Sequence, residues 1–144
     1  MMMISTRGRY ALRVMVDLAQ QGKKGYLPLK EIAERQGISE KYLESVLKSL
    51  VQEKLLVGIR GKGGGYRLTK PPEEYTVGSI LRLTEGDLAP VACLENGAES
   101  CPRAEKCATL PMWKKLNDMI QRFFDGITLA DLMAETDPEA AIPT

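Results

Sequence analysis

The 144-residue sequence predicts a mainly α-helical fold with one small β-hairpin. Three observations carry that prediction. Apolar residues recur at helical spacing in successive stretches between Tyr10 and Phe124, and Ser, Thr, Pro and Gly stand where helices start and stop. The only segment with strand character is folded about the glycine-rich run Gly61-Lys62-Gly63-Gly64-Gly65. A chain of this length holds one core, with room for an appended helical segment.

Ser5 caps a first helix with an apolar face of Tyr10, Ala11, Val14, Met15, Leu18 and Ala19, and Gly22 is placed to end it. A shorter helix begins near Pro28 and runs to Gly37, whose missing side chain suits a left-handed turn. Ser39 caps a third helix. Its stripe is Leu43, Val46, Leu47, Leu50 and Val51, with Glu40, Lys41, Glu44, Ser45 and Lys48 opposite. Two helices joined by so short a turn form a helix-turn-helix candidate. Leu55 to Arg60, the glycine run and Tyr66 to Thr69 then read as strand, turn and strand, which in this position is a wing. After Pro71-Pro72, Thr76 caps a short helix that ends at Gly86. Residues 87–110 lack helical periodicity and hold Cys93, Cys101 and Cys107. Pro111 opens a long helix with Met112, Trp113, Leu116, Met119, Ile120, Phe123 and Phe124 on one stripe, and Thr128 with Asp131 resembles a capping box for a last short helix.

The expected organisation is a winged helix-turn-helix over 1–72, a short helix and cysteine-bearing loop over 73–110, a dimerisation helix with its terminal short helix over 111–135, and a tail over 136–144. Charge supports the first boundary. Residues 1–70 carry 14 Lys/Arg against 6 Asp/Glu, a net +8, whereas residues 71–144 carry 6 against 13, a net −7. A basic module facing a polyanion, followed by an acidic remainder, accounts for that asymmetry. No apolar run approaches the roughly 18 residues that span a membrane. Arg13 and Asp17 interrupt the only stretch that imitates a signal sequence, so a cytoplasmic location is expected.

The chain has no histidine, which removes the commonest general base and the commonest nitrogen ligand of metals. No nucleophile stands beside a plausible base. The glycine run fails as a phosphate loop, because Gly63 follows Lys62 where Ser or Thr is needed and a strand follows where a helix is needed. An enzyme is therefore not expected. For double-stranded DNA, by contrast, the third helix supplies Ser39, Lys41, Tyr42, Glu44, Ser45 and Lys48 to bases and phosphates. The wing supplies Arg60, Lys62 and Arg67 on a turn slim enough for a minor groove. A merely solvated helix face is the competing reading of the third helix alone. The stripe of Trp113, Leu116, Ile120, Phe123 and Phe124 is more than a lone helix can bury in its own protomer, so pairing with a twin helix, and a homodimer, is expected.

The wing Arg60-Gly61-Lys62-Gly63-Gly64-Gly65-Tyr66, together with Asp125-Gly126-Ile127-Thr128-Leu129-Ala130-Asp131-Leu132, resembles the IscR/NsrR/CymR family of bacterial regulators, from Ile4 to about Glu135. The resemblance implies a homodimer on a near-palindromic operator. It implies that Arg60 enters the minor groove and that Glu44, with Ser39, Lys41 and Tyr42, reads bases. Cys93, Cys101 and Cys107 are similar to the three-cysteine loop that holds an iron-sulfur cluster in some members. Thiolates suit that role. Two departures stand out. Leu110 occupies the place of the histidine that completes the IscR-type site, and Arg7-Gly8-Arg9-Tyr10 replaces the stretch that supplies the NsrR-type carboxylate. Glu95, Glu99 and Glu105 are local candidates for a fourth ligand. Zinc, a thiol-disulfide switch, or a cluster-free regulator controlled by a protein partner, as in the CymR branch, are the alternatives.

Overall fold

The Ser5 hydroxyl accepts the Gly8 amide at 3.0 Å and so satisfies one donor in the opening turn of helix α1 (Thr6–Gln20). The structure is a computed structural model and describes residues 4–22, 25–95 and 105–134. Helix α1 is its central pillar. Ala11, Val14, Met15 and Leu18 recur at helical spacing and are all but completely buried, which gives α1 one apolar side for the other elements to pack on.

Helices α2 (Leu29–Gln36) and α3 (Glu40–Gln52) follow. Gly37 turns the chain between them at φ 65°, a left-handed conformation that favours glycine. Ser39 then caps α3, its hydroxyl accepting from the Tyr42 amide at 3.2 Å. Leu43, Val46, Leu47 and Leu50 are buried as the stripe predicts, each worth roughly 1.5–3 kcal/mol. That burial fixes which side of α3 remains outward.

Strands β1 (Leu56–Ile59) and β2 (Gly65–Leu68) pair antiparallel, with Leu56 opposite Leu68 and Ile59 opposite Gly65. Leu27 extends this hairpin by exchanging two backbone hydrogen bonds of 2.9 Å with Tyr66. Gly65, at φ 146°, lies so close to this contact that an added Cβ would collide with the Leu27 carbonyl. Gly65→Ala should cost about 2–3 kcal/mol from strain and steric overlap and lift β2 away from Leu27. The check is thermal denaturation together with amide exchange at Leu27 and Tyr66, which should accelerate.

Thr76 caps α4 (Val77–Glu85) through the Ser79 amide at 3.1 Å, and Gly86 ends it at φ 80°. Helix α5 (Leu110–Asp125) and helix α6 (Leu129–Ala134) complete the chain. The capping box at α6 forms as read: the Asp131 amide donates to the Thr128 hydroxyl at 3.1 Å, and the Thr128 amide donates to the Asp131 carboxylate at 2.9 Å. Close approach joins α4 to α5. A Cβ on Gly78 would meet the Asp125 carboxylate, which itself accepts two hydrogen bonds from Arg82, of 2.7 and 2.9 Å.

Two helix boundaries differ from the expectation. Helix α1 stops at Gln20 without using Gly22: the cap residue Gln21 leaves the helical region at φ −96° and ψ 8°, its amide still bonds to the Asp17 carbonyl at 3.0 Å, and Gly22 does not take a left-handed conformation. Helix α5 begins one residue before Pro111, which then sits in the first turn, where an amide has no intrahelical partner to lose. The cysteine segment also contains a 3-10 turn over Ala92–Leu94.

The main core joins α1, α2 and α3 to Tyr75, Ile80 and Leu129, so the helices after the wing share the core of the helix-turn-helix. A second cluster of Val77, Leu81, Leu88 and Ile127 receives Ile120 and Phe124 from α5. Among the described residues no helix is long and apolar enough to cross a membrane.

Candidate nucleic-acid interface and cysteine loop

Burial of the α3 stripe leaves Lys41, Glu44, Ser45 and Lys48 exposed on the other side of the helix. They are not equally committed. Ser39 spends its hydroxyl oxygen on the Tyr42 amide, and the half-buried Tyr42 ring packs edge-on to Tyr10, with centroids 5.7 Å apart. Ser45 is held by Arg7 of α1, whose guanidinium donates to the Ser45 hydroxyl at 3.1 Å, the Ser45 carbonyl at 3.0 Å and the Ser49 hydroxyl at 2.6 Å. A hydroxyl that accepts from arginine keeps its proton for an outside acceptor. Arg7 was missed by the sequence reading. Its only signal was membership of the basic half, since a contact between residues 38 positions apart leaves no local pattern.

The wing places Arg60 and Lys62 at an exposed turn in which Gly61 and Gly63 take φ of 94° and 79°. Arg67 lies on β2 with its guanidinium 4.8 Å from the centre of the Tyr26 ring, a cation–π contact that ties the strand to the segment before α2. The tip cations and the strand cation therefore have different surroundings. Helix α3 leads into β1 through Lys54, whose φ of 62° makes the sharp turn, so the helix and the wing belong to one continuous unit.

Cys93 is exposed on the 3-10 turn, and Cys107 is half-buried just before α5. The Cys107 sulfur lies 3.4 Å from the Thr109 hydroxyl. That hydrogen bond, aided by the Thr109 and Leu110 amides, pulls the thiol below the ordinary cysteine range and favours the thiolate. Cys101 and Glu99 lie outside the described residues, whereas Glu95 and Glu105 are exposed. Among the described residues, no three Cys, Asp or Glu side chains gather as a metal site. The donor type fits iron or zinc, and the described residues supply two of the three thiols.

Helix α5 divides into two sides. Ile120 and Phe124 pack against the protomer's second cluster, and Trp113 and Leu116 are half-buried. Met112, Met119 and Phe123 are 53%, 64% and 48% exposed. Residues 112, 116, 119 and 123 follow helical spacing, so the exposed apolar groups form one stripe.

Comparison with known proteins gives a consistent result. Residues 4–135 match the Rrf2 family, described as an iron-dependent transcriptional regulator. The HTH-type transcriptional regulator IscR of Aliivibrio salmonicida (strain LFI1238) is 38% identical over 136 residues, covering 94% of this chain and 80% of the relative. The IscR of Serratia proteamaculans (strain 568) is 37% identical over 136 residues, covering 94% and 82%. Among solved structures, CymR, the global cysteine regulator of B. subtilis, superposes with a TM-score of 0.79 at 37% identity, covering 95% of this chain and all of that one. The T. potens IscR does so with a TM-score of 0.75 at 34% identity, covering 99% and 93%. The expected fold, helical with a winged helix-turn-helix and one hairpin, is borne out, as is the expectation that the protein is not an enzyme. The chain belongs to the Rrf2 family of bacterial transcriptional regulators.

Proposed function

We propose that the protein is a cytoplasmic, homodimeric, sequence-specific DNA-binding regulator whose Cys93, Cys101 and Cys107 report iron-sulfur or redox status. The observation that carries the DNA reading is the two-sided α3: Leu43, Val46, Leu47 and Leu50 of its apolar stripe are buried and Val51 is half-buried, and its outward side offers Lys41, Glu44, Ser45 and Lys48 just before a wing tipped by Arg60 and Lys62. In a major groove, Glu44 is suited to accept from a cytosine amino group, Ser45 to donate to a base acceptor, and Lys41 and Lys48 to meet guanine or phosphate. Arg60 gains most in the narrow minor groove of an A·T-rich tract.

The test is affinity for an operator selected from random duplexes, measured by fluorescence anisotropy over a range of salt. Counterion release predicts a steep negative dependence on salt. Arg60→Ala should weaken binding about tenfold and reduce the preference for A·T at the wing positions. A flat salt dependence would sink the DNA reading.

The thiolate-favouring setting of Cys107 supports the sensor reading. A thiolate-held iron-sulfur cluster would supply one-electron redox chemistry and a group that is lost when iron is scarce. Cys93 and Cys107 would hold it from either end of the loop, and Cys101 would be the third ligand. The likeness to CymR, a global cysteine regulator, favours a second reading in which the loop carries no cluster and a protein partner conveys the signal. A visible spectrum with iron and sulfide assay on anaerobically purified protein separates the two. Absorption that vanishes in Cys107→Ala supports the cluster, and a colourless, metal-free protein leaves a thiol-disulfide switch or a protein partner to convey the signal.

A further inference from the structure

Tyr75 stands between the wing and α4 and is 1% exposed. Its hydroxyl lies at the foot of the hairpin. It donates to the Leu55 carbonyl at 2.7 Å and accepts from the Thr69 amide at 2.9 Å and the Lys70 amide at 3.2 Å. The Thr69 hydroxyl, 3.0 Å from the same oxygen, reaches the Lys54 carbonyl at 3.0 Å and the Leu55 carbonyl at 3.3 Å. Leu55 immediately precedes β1 and Thr69 immediately follows β2, so one phenolic oxygen fastens both feet of the wing.

The backbone of the same segment is fastened on its other side. The Tyr75 carbonyl accepts from the Leu129 amide at 3.0 Å, Thr76 bridges Thr128, and the Val77 amide donates to the Ile127 carbonyl at 2.8 Å. The foot of the wing is thus joined to the connection between α5 and α6. A hairpin of two four-residue strands has little stability of its own. Burial along β1 falls from Leu56, which is buried, to Ile59, which is exposed, whereas β2 is held again at Gly65 and Tyr66 by the Leu27 backbone, so the hairpin has two anchors, one at its feet and one on β2. With β2 pinned at Leu27, the Tyr75 hydroxyl at the feet is the second point that sets the direction in which the hairpin carries Arg60, and without it the hairpin can turn about the Leu27 bridge.

Resting on the reading that the wing contacts DNA, we propose that Tyr75 is a positioning residue for operator recognition, its hydroxyl fixing the angle at which the wing carries Arg60 away from the helical body. Phenylalanine would fill the same space, so the hydroxyl is the part that sets the angle. Without it the Leu55 carbonyl and the Thr69 and Lys70 amides lose their shared partner.

The experiment is a double-mutant cycle on operator affinity with Tyr75→Phe and Arg60→Ala. Ile32→Val, in α2 and outside the hairpin and its feet, serves as a core variant that lowers stability. Each of the two wing variants should weaken binding about tenfold, and the double variant should bind no worse than Arg60→Ala alone, because an arginine already misplaced has little left to lose. Ile32→Val should leave the full effect of Arg60→Ala in place. If Arg60→Ala weakens binding but Tyr75→Phe does not, or if the two losses multiply, the positioning role is overturned and the wing reading survives. If Arg60→Ala has no effect, the wing reading fails and takes this proposal with it. Thr69→Val, at an exposed position, runs the same cycle with the same criteria should Tyr75→Phe not fold.

Discussion

Phe123→Asp should break the proposed homodimer into monomers and weaken operator binding by about a hundredfold or more, with its helical content unchanged. Phe123 is 48% exposed on the stripe that also carries Met112 and Met119. An aspartate there costs the isolated protomer little, since the position already faces water. In a dimer built on that stripe the same carboxylate would be desolvated opposite its symmetry mate. Two half-sites bound by linked protomers gain 10²–10⁴ in avidity over one, and that gain is what the monomer forfeits. Light scattering at micromolar concentration reads the first effect, anisotropy on the operator the second, and circular dichroism the control. Ile120 is a poorer probe: it packs against Val77, Leu81, Leu88 and Ile127 of its own chain, so a charge there would confuse misfolding with dissociation. A dimer of unchanged affinity would remove α5 as the pairing surface.

The part of this architecture that periodicity encodes was legible in the residues. The stripe of α3, the caps Ser5, Ser39 and Thr76, the left-handed Gly37 and the Thr128-Asp131 box all stand where their local chemistry demands. Each depends on residues within a turn or two of one another. What could not be read depends on contacts distant in sequence. Arg7 reaches Ser45 and Ser49, Tyr75 reaches Leu55, and Arg67 reaches Tyr26, and no spacing rule links those pairs. The split of α5 into an inward and an outward side was hidden for the same reason. Its stripe of Met112, Trp113, Leu116, Met119, Ile120, Phe123 and Phe124 is wide enough for two partners, and the cluster of Val77, Leu81, Leu88 and Ile127 decides that Ile120 and Phe124 face inward. Asp17 did leave a signal. An acid three residues after Val14 and beside Leu18 lies on the buried side of α1, where a carboxylate requires a partner.

That partner makes Asp17 the second position of large effect. Its carboxylate, 3% exposed, accepts three hydrogen bonds of 2.8–3.1 Å from Arg35 and one of 2.7 Å from the Gln36 amide group. These bonds raise the Arg35 pKa above its ordinary value and hold the guanidinium charged. Arg13 adds to the clamp by donating to the Gln36 carbonyl and, at 3.1 Å, to its side-chain oxygen. Helix α1 thus grips the last turn of α2 immediately before the Gly37 turn into α3, so the clamp bears on where the outward side of α3 points. Asp17→Ala should lower unfolding free energy by about 3 kcal/mol, a large share of the 5–15 kcal/mol that holds a typical domain together. The loss sits at the low end for a buried pair because the Arg35 side chain is 34% exposed and can turn to water. Arg35→Ala should cost more, since it strands a carboxylate that cannot reach solvent. The double variant should then be more stable than Arg35→Ala alone, because removing the stranded charge relieves the penalty of burying it. Urea unfolding of the three variants measures all of this, and strictly additive losses would show that Asp17 and Arg35 are not energetically coupled.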